Sequence, residues 1–224
     1  MFAKKFNKSL SVVNGMIAAI GLFASVSAQA VMYGGVEFPG GASSFADAVV
    51  SYEPTFGGAA GPEVSARNPL QSLGVPTGSS GVGFVTLGDG GRITLRFTDN
   101  SLTGSGNSAL DLWIFEVGPD VEDTYVEISK DGLNWSEVGS VTGSTSGIDI
   151  DAFGFGVSDF FSYVRLTDDQ REGERGNGAT IGADIDAVGA ISSAPPVTVP
   201  EPATLALLGM ALVAAGCQRR KTKR

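Results

Sequence analysis

The sequence predicts an all-β sandwich between two terminal apolar segments, and three observations carry that reading. Helical periodicity is nearly absent between residues 31 and 199, where short β-type runs are separated by Gly, Asn, Asp and Pro. Arg92-Ile93-Thr94-Leu95-Arg96-Phe97 puts Ile93, Leu95 and Phe97 on one face and Arg92, Thr94 and Arg96 on the other. Leu110 to Glu116 is apolar on both faces, the pattern of a central strand covered on each side.

The chain opens with Lys4, Lys5 and Lys8, then an apolar stretch from about Val12 to Val26, then Ala28-Gln29-Ala30. Basic, apolar, then small residues at Ala28 and Ala30 is the pattern of a signal peptide cut by signal peptidase, which makes Val31 the expected new N-terminus. The stretch is short for a membrane span and is interrupted by Asn14 and Gly15.

Within the exported part, Val31 to Pro39 and Ala46 to Tyr52 read as early strands. Glu53 to Gly81, with Pro54, Pro62, Pro69 and Pro76, reads as a long loop. Val82 to Leu87 is a strand, and Gly88 to Gly91 a tight turn before Arg92 to Phe97. Asp99 to Ser108 is a second polar loop, and Leu110 to Glu116 follows it. Tyr125 to Ser129 alternates, Lys130-Asp131-Gly132-Leu133 turns it back, and Trp135 to Val141 returns. Phe161 to Leu166 and Ile185 to Ile191 are the late strands.

Composition narrows the chemistry. The chain holds 32 glycines and no histidine, and its one cysteine is Cys217. Without histidine there is no Ser-His-Asp or Cys-His catalysis, and most zinc and copper sites are excluded. No disulfide can staple the exported part, so its stability comes from its core, with bound metal as a further contributor. Seven of the 15 basic and 23 of the 24 acidic residues lie between 31 and 199, a formal charge of −16 for that region. Such a surface repels nucleic acid and anionic lipid and favours divalent cations.

At the far end, Pro200-Glu201-Pro202 precedes an uncharged run from Ala203 to Cys217, and Arg219, Arg220, Lys221, Lys223 and Arg224 close the chain. As a helix the run is about 22 Å long, marginal for a bilayer. The basic cluster holds the end on the cytoplasmic side, and the two prolines keep the preceding segment extended. Pro200, Glu201, Pro202, the apolar run and Arg219-Arg220-Lys221, in that order, resemble the PEP-CTERM sorting signal of Gram-negative bacteria. The resemblance implies cutting near Pro-Glu-Pro by a membrane protease, exosortase. It implies transient inner-membrane anchoring through the hydrophobic sorting helix, then a place at the cell surface or in the extracellular matrix, with exopolysaccharide and biofilm. Val213 to Cys217 looks like a lipoprotein box, but only seven residues follow Cys217, so cleavage there would leave no protein. These readings divide the chain into a signal peptide at 1–30, a β-sandwich ectodomain at 31–194, a linker at 195–199 and a sorting signal at 200–224.

Ser129-Lys130-Asp131-Gly132-Leu133-Asn134-Trp135 resembles the strand-turn-strand of discoidin-like, galactose-binding-like domains, and the run of motifs from about Leu87 to Val188 is similar to exported proteins of that kind. The resemblance implies a β-sandwich of jelly-roll type.

Gly147-Ile148-Asp149-Ile150-Asp151-Ala152-Phe153-Gly154 echoes Gly182-Ala183-Asp184-Ile185-Asp186-Ala187-Val188-Gly189. On strands, the two acids of each copy share one face, and Ile150 and Ile185 point into a core. Paired carboxylates repel one another unless a cation or an arginine lies between them. Arg165, Arg171 and Arg175 are the arginines that could pair with them, or the acids could cap loops. Calcium suits an all-oxygen site. Asp184 and Asp186 are the first candidates, then Asp111 and Glu116 at the ends of the central strand, then Asp149 and Asp151. Trp113 reads as core, and Trp135 as either core or a sugar-stacking platform. Two functions fit: a non-catalytic matrix or surface protein that holds glycan, or a glycan-active enzyme using carboxylates such as Asp111 and Glu116.

Overall fold

The computed structural model describes residues 30–59, 61–78, 83–118, 122–170 and 179–196. The expected signal peptide up to Gln29, the sorting segment, and Arg171 and Arg175 lie outside the described residues. Among those described, thirteen strands form: β1 (Val31–Tyr33), β2 (Val36–Phe38), β3 (Ala48–Glu53), β4 (Val85–Thr86), β5 (Arg92–Arg96), β6 (Ser101–Leu102), β7 (Leu112–Glu116), β8 (Thr124–Ser129), β9 (Trp135–Val141), β10 (Thr145–Ile148), β11 (Tyr163–Asp168), β12 (Asp184–Ala190) and β13 (Ser193–Ala194).

Two sheets face each other, both antiparallel throughout. One runs β10-β7-β12-β4 and the other β3-β5-β11-β8-β9. From β4 to β12 the chain changes sheet at every connection except the β8–β9 hairpin. Leaving β3 aside, that is the eight-strand double-sheet arrangement of a jelly roll. The core lies between the sheets, with Ile93, Leu95, Leu112, Ile128, Val164, Leu166 and Ile185 all fully buried. The alternation read in Arg92 to Phe97 holds: Ile93 and Leu95 are buried, while Arg92 and Arg96 lie half-exposed on the outer face.

Much of β7 and β12 is buried on both faces because the N-terminal segment covers part of their outer side. Val31 to Pro39 forms a hairpin rather than one strand. Gly34 and Gly35 both adopt positive φ, +54° and +84°, as a tight two-residue turn requires. Phe38 and Phe45 then pack on Phe115 and Ala187, with the Phe38 and Phe45 ring centroids 4.6 Å apart. Gly189 of β12 lets them in, since a Cβ there would lie 2.7 Å from Phe38 and 2.8 Å from Phe45. All seven residues of β12 are buried.

β10 was not expected, because Thr145-Ser146-Gly147 carries no apolar alternation. It forms as the edge strand of its sheet by pairing with β7, Ile148 opposite Leu112 and Thr145 opposite Phe115. β6 pairs with β13, so the chain leaves the sandwich along a two-stranded ribbon, Ser193 opposite Leu102.

Candidate metal centre

Asp111 sits one residue before β7. Its N–H donates to Ile148 O at 2.8 Å and its carbonyl accepts from Ile191 N–H at 2.7 Å, so both flanking strands fix its position. The side chain is fully buried. Oδ2 accepts from Ile150 N–H at 3.0 Å, and Oδ1 is buried without a hydrogen-bond partner. Burial pushes the Asp111 carboxyl above the usual range; the Ser192 hydroxyl, the Ile150 N–H and the Ser105 hydroxyl oppose the rise, and the Asp151 charge adds slightly to it.

After β10 the chain leaves the sheet. Ile150 takes right-handed helical angles, Asp151–Phe153 makes a single 3-10 turn, and Gly154 ends it at φ +87°. The expectation that Asp149 and Asp151 share a strand face is therefore corrected. They converge through a turn in which Asp149 Oδ1 accepts from Asp151 N–H at 3.0 Å. Ile150 still points into the core and is fully buried, as is Ile185 in the second copy. Asp111, Asp149 and Asp151 each bring one oxygen within 4.8 Å of the other two. Among the described residues, this is the one group of three or more acidic side chains so arranged.

The loop after β6 closes over this group. Gly106 N–H lies 3.2 and 3.1 Å from the two oxygens of Asp151, and Ser105 Oγ lies 3.3 Å from Oδ2. A Cβ on Gly104 would lie 2.3 Å from Phe155 O and 2.8 Å from Asp151 Oδ2, so the approach of this loop requires glycine.

Asp184 and Asp186 are used differently. The ladder shifts between Ile185 and Ala187, so Asp186 stands at a bulge and the simple alternation fails there. Asp186 accepts from Thr77 N–H at 3.0 Å, Thr77 Oγ1 at 3.0 Å and Gly78 N–H at 2.8 Å, which pins the long loop to the sheet. Asp184 Oδ1 accepts from Thr86 Oγ1 across the β12–β4 pair. Among the described residues these two acids do not join a third.

Glu116 ends β7 and is 5 % exposed. Its Oε1 accepts from Glu122 N–H at 3.1 Å. Burial, then contact with the Glu122 carboxyl, pushes Glu116 up to about 9, so it is neutral at pH 7. It borders a cleft of about 430 Å³ lined also by Gly34, Thr77, Phe115, Thr145 and Asp186. Asp111 and Glu116 bracket β7, about 16 Å apart at the rise of an extended chain. That exceeds the ~9.5 Å upper end for paired glycosidase carboxyls, so they do not form the acid–base pair considered from the sequence.

Sequence reasoning missed Asp168. It is buried and accepts from Gly90 N–H and Ala183 N–H, each at 2.8 Å. Its burial follows from the tertiary pairing of β11, and no local motif announces it. Trp113 packs against the N-terminal aromatic cluster, as expected of core. Trp135 is half-buried, with the Arg165 guanidinium 3.6 Å from its ring centroid and Tyr163 edge-on at 6.5 Å. One ring face is thereby taken by the protein itself.

Comparison with known proteins gives a sequence match at one end and a remote structural one elsewhere. No curated protein matches the chain. Among solved structures, the C-terminal domain of a chitobiase from Bacteroides fragilis aligns at 15% identity and a TM-score of 0.37, covering 65% of this chain and 95% of that one. The galactose-binding-like resemblance rests on the sequence alone. Residues 198–221 match the PEP-CTERM protein-sorting motif, which supports an exported protein sorted to the cell surface by exosortase.

Proposed function

We propose that this chain is a non-catalytic cell-surface or extracellular-matrix protein, associated with exopolysaccharide and biofilm and holding glycan on its jelly roll. The observation that carries the reading is the sorting motif at 198–221, placed after a single sandwich that ends in an exit ribbon. A formal charge of −16 between residues 31 and 199 keeps such a domain soluble in a matrix and unattractive to nucleic acid. The cleft offers the Ser144 and Thr145 hydroxyls and, at its edge, a neutral Glu116 that can donate a hydrogen bond, which suits an uncharged sugar.

Secretion in the native host tests this. The processed protein is expected to fractionate with the exopolysaccharide and to return to the soluble fraction when that polysaccharide is digested. Fractionation independent of polysaccharide would remove glycan from the account.

A glycan-active enzyme is the second reading, and it keeps one favourable observation: a neutral buried carboxyl, Glu116, bordering a cleft. Turnover of a polysaccharide panel, abolished in Glu116→Gln, would replace the first reading with this one.

A further inference from the structure

We propose that Asp111, Asp149 and Asp151 hold one calcium ion, and that this ion clamps the strand by which the chain leaves the sandwich. The inference stands on geometry alone and holds whether or not the protein binds glycan.

Three carboxylates converge to within 4.8 Å with no basic side chain among them. Among the described residues the ion pairs are Lys130–Asp159 and Arg165–Glu127, and neither touches the group. Hydrogen bonds from Gly106, Ser105, Ile150 and Asp151 take up part of the acceptor capacity. They leave Asp111 Oδ1, in a fully buried residue, with no donor in hydrogen-bonding geometry, although the Ser192 and Ser105 hydroxyls lie near the carboxyl. A buried acceptor without a donor, beside two further negative charges, is unfavourable unless a cation completes it.

The donor set selects the ion. All three side chains offer oxygen, and the chain holds no histidine and has its one cysteine at 217, which disfavours zinc and copper. Three carboxylates on a loop and a turn suit calcium, which accepts varied geometry and fills remaining positions with carbonyls and water. Magnesium, which demands near-ideal octahedral placement, is less well matched.

The location gives the ion its role. Ser105 and Gly106, which hold Asp151, follow β6 directly. β6 pairs with β13, Thr103 N–H donates to Ser192 O at 2.9 Å, and Ser101 Oγ donates to Pro195 O at 3.2 Å. Asp111 itself carries Ile191 on its carbonyl. An ion bridging Asp111, Asp149 and Asp151 therefore joins the start of β7, the turn after β10 and, through the loop, the segment that leads to the sorting tail. Calcium would fix the tether point of the exported domain.

The test uses the secreted protein, stripped with EDTA and titrated with calcium chloride alone. One calcium per chain is expected, with a higher melting temperature and at least tenfold slower proteolysis between residues 191 and 199. Both effects should vanish in the double variant Asp149→Asn/Asp151→Asn and persist in Asp184→Asn. A folded stripped protein that binds no calcium would overturn the proposal, as would binding unchanged in the double variant. Calcium binding that leaves cleavage at 191–199 unaltered would overturn the clamp. Asp149 and Asp151 are chosen because they are partly exposed, and a circular dichroism spectrum like that of the parent confirms that the double variant is folded.

Discussion

The carbonyl of Asp111 accepts the Ile191 N–H at 2.7 Å, which joins the buried acid ahead of β7 to the residue just past the end of β12. The same acid supplies an acceptor to Ile150 N–H on its other side. One residue thus ties the edge strand β10, the central strand β7 and the exit segment together.

Asp168→Ala should destabilise the fold by at least about 2 kcal/mol, because two buried N–H groups, of Gly90 and Ala183, lose their acceptor. Asp168→Asn should cost less, since its amide oxygen can still accept one of them. Urea unfolding of the two variants at one pH checks the order.

Gly189→Ala should cost about 1–3 kcal/mol by overpacking against Phe38 and Phe45. Truncating the phenylalanine that gives way, Phe45→Leu, should recover part of that loss in the double variant. Additive losses would mean that the two sites do not share the contact.

Stability should fall as pH rises towards 9. Glu116 has its folded pKa raised from 4.5 to about 9, so the folded state holds a proton that the unfolded state has released across that window. The stabilisation from neutral Glu116 is full below about 4.5 and lost as pH climbs through about 9, with a slope of up to about 1.4 kcal/mol per pH unit from this one group. Glu116→Gln, neutral at every pH, should flatten the slope. A parent whose chemical denaturation midpoint is unchanged between pH 6 and pH 9 would contradict the assignment.

Arg165 and Trp135 should be coupled by about 0.5–2 kcal/mol in a double-mutant cycle, given a guanidinium 3.6 Å from the ring centroid and half-buried surroundings. The Arg165–Glu127 pair at 3.1 Å contributes separately and is tested by Glu127→Gln alone.

Much of the sandwich was legible because burial on one face writes a period of two into the strand. Ile93 and Leu95 against Arg92 and Arg96 show it in β5, and the doubly apolar Leu112 to Phe115 shows a central strand. The turn at Asp131 was also readable. Its carboxyl accepts from Leu133 and Asn134 N–H, each at 2.8 Å, and those donors hold it well below the usual carboxylate range. β10 was not readable, since an edge strand rich in Thr, Ser and Gly is defined by its partner rather than by its own pattern. The acidic site was half readable. The repeated Asp-Ile-Asp marked the residues, but the two copies fold differently. The first turns off the sheet at Ile150, while the second stays in β12 with a bulge at Asp186. The meeting of Asp111 with Asp149 and Asp151 comes from the β10–β7 register, which a single sequence does not display.

Intact-mass analysis of the protein recovered from the cell surface or medium of its native host tests the central claim most directly. The account predicts a chain beginning at Val31 and ending near Pro200-Glu201-Pro202, with the apolar run and the Arg219-Arg220-Lys221 cluster gone, and retention of that tail when exosortase is absent. A surface protein that keeps its C-terminal cluster in the presence of exosortase would contradict it.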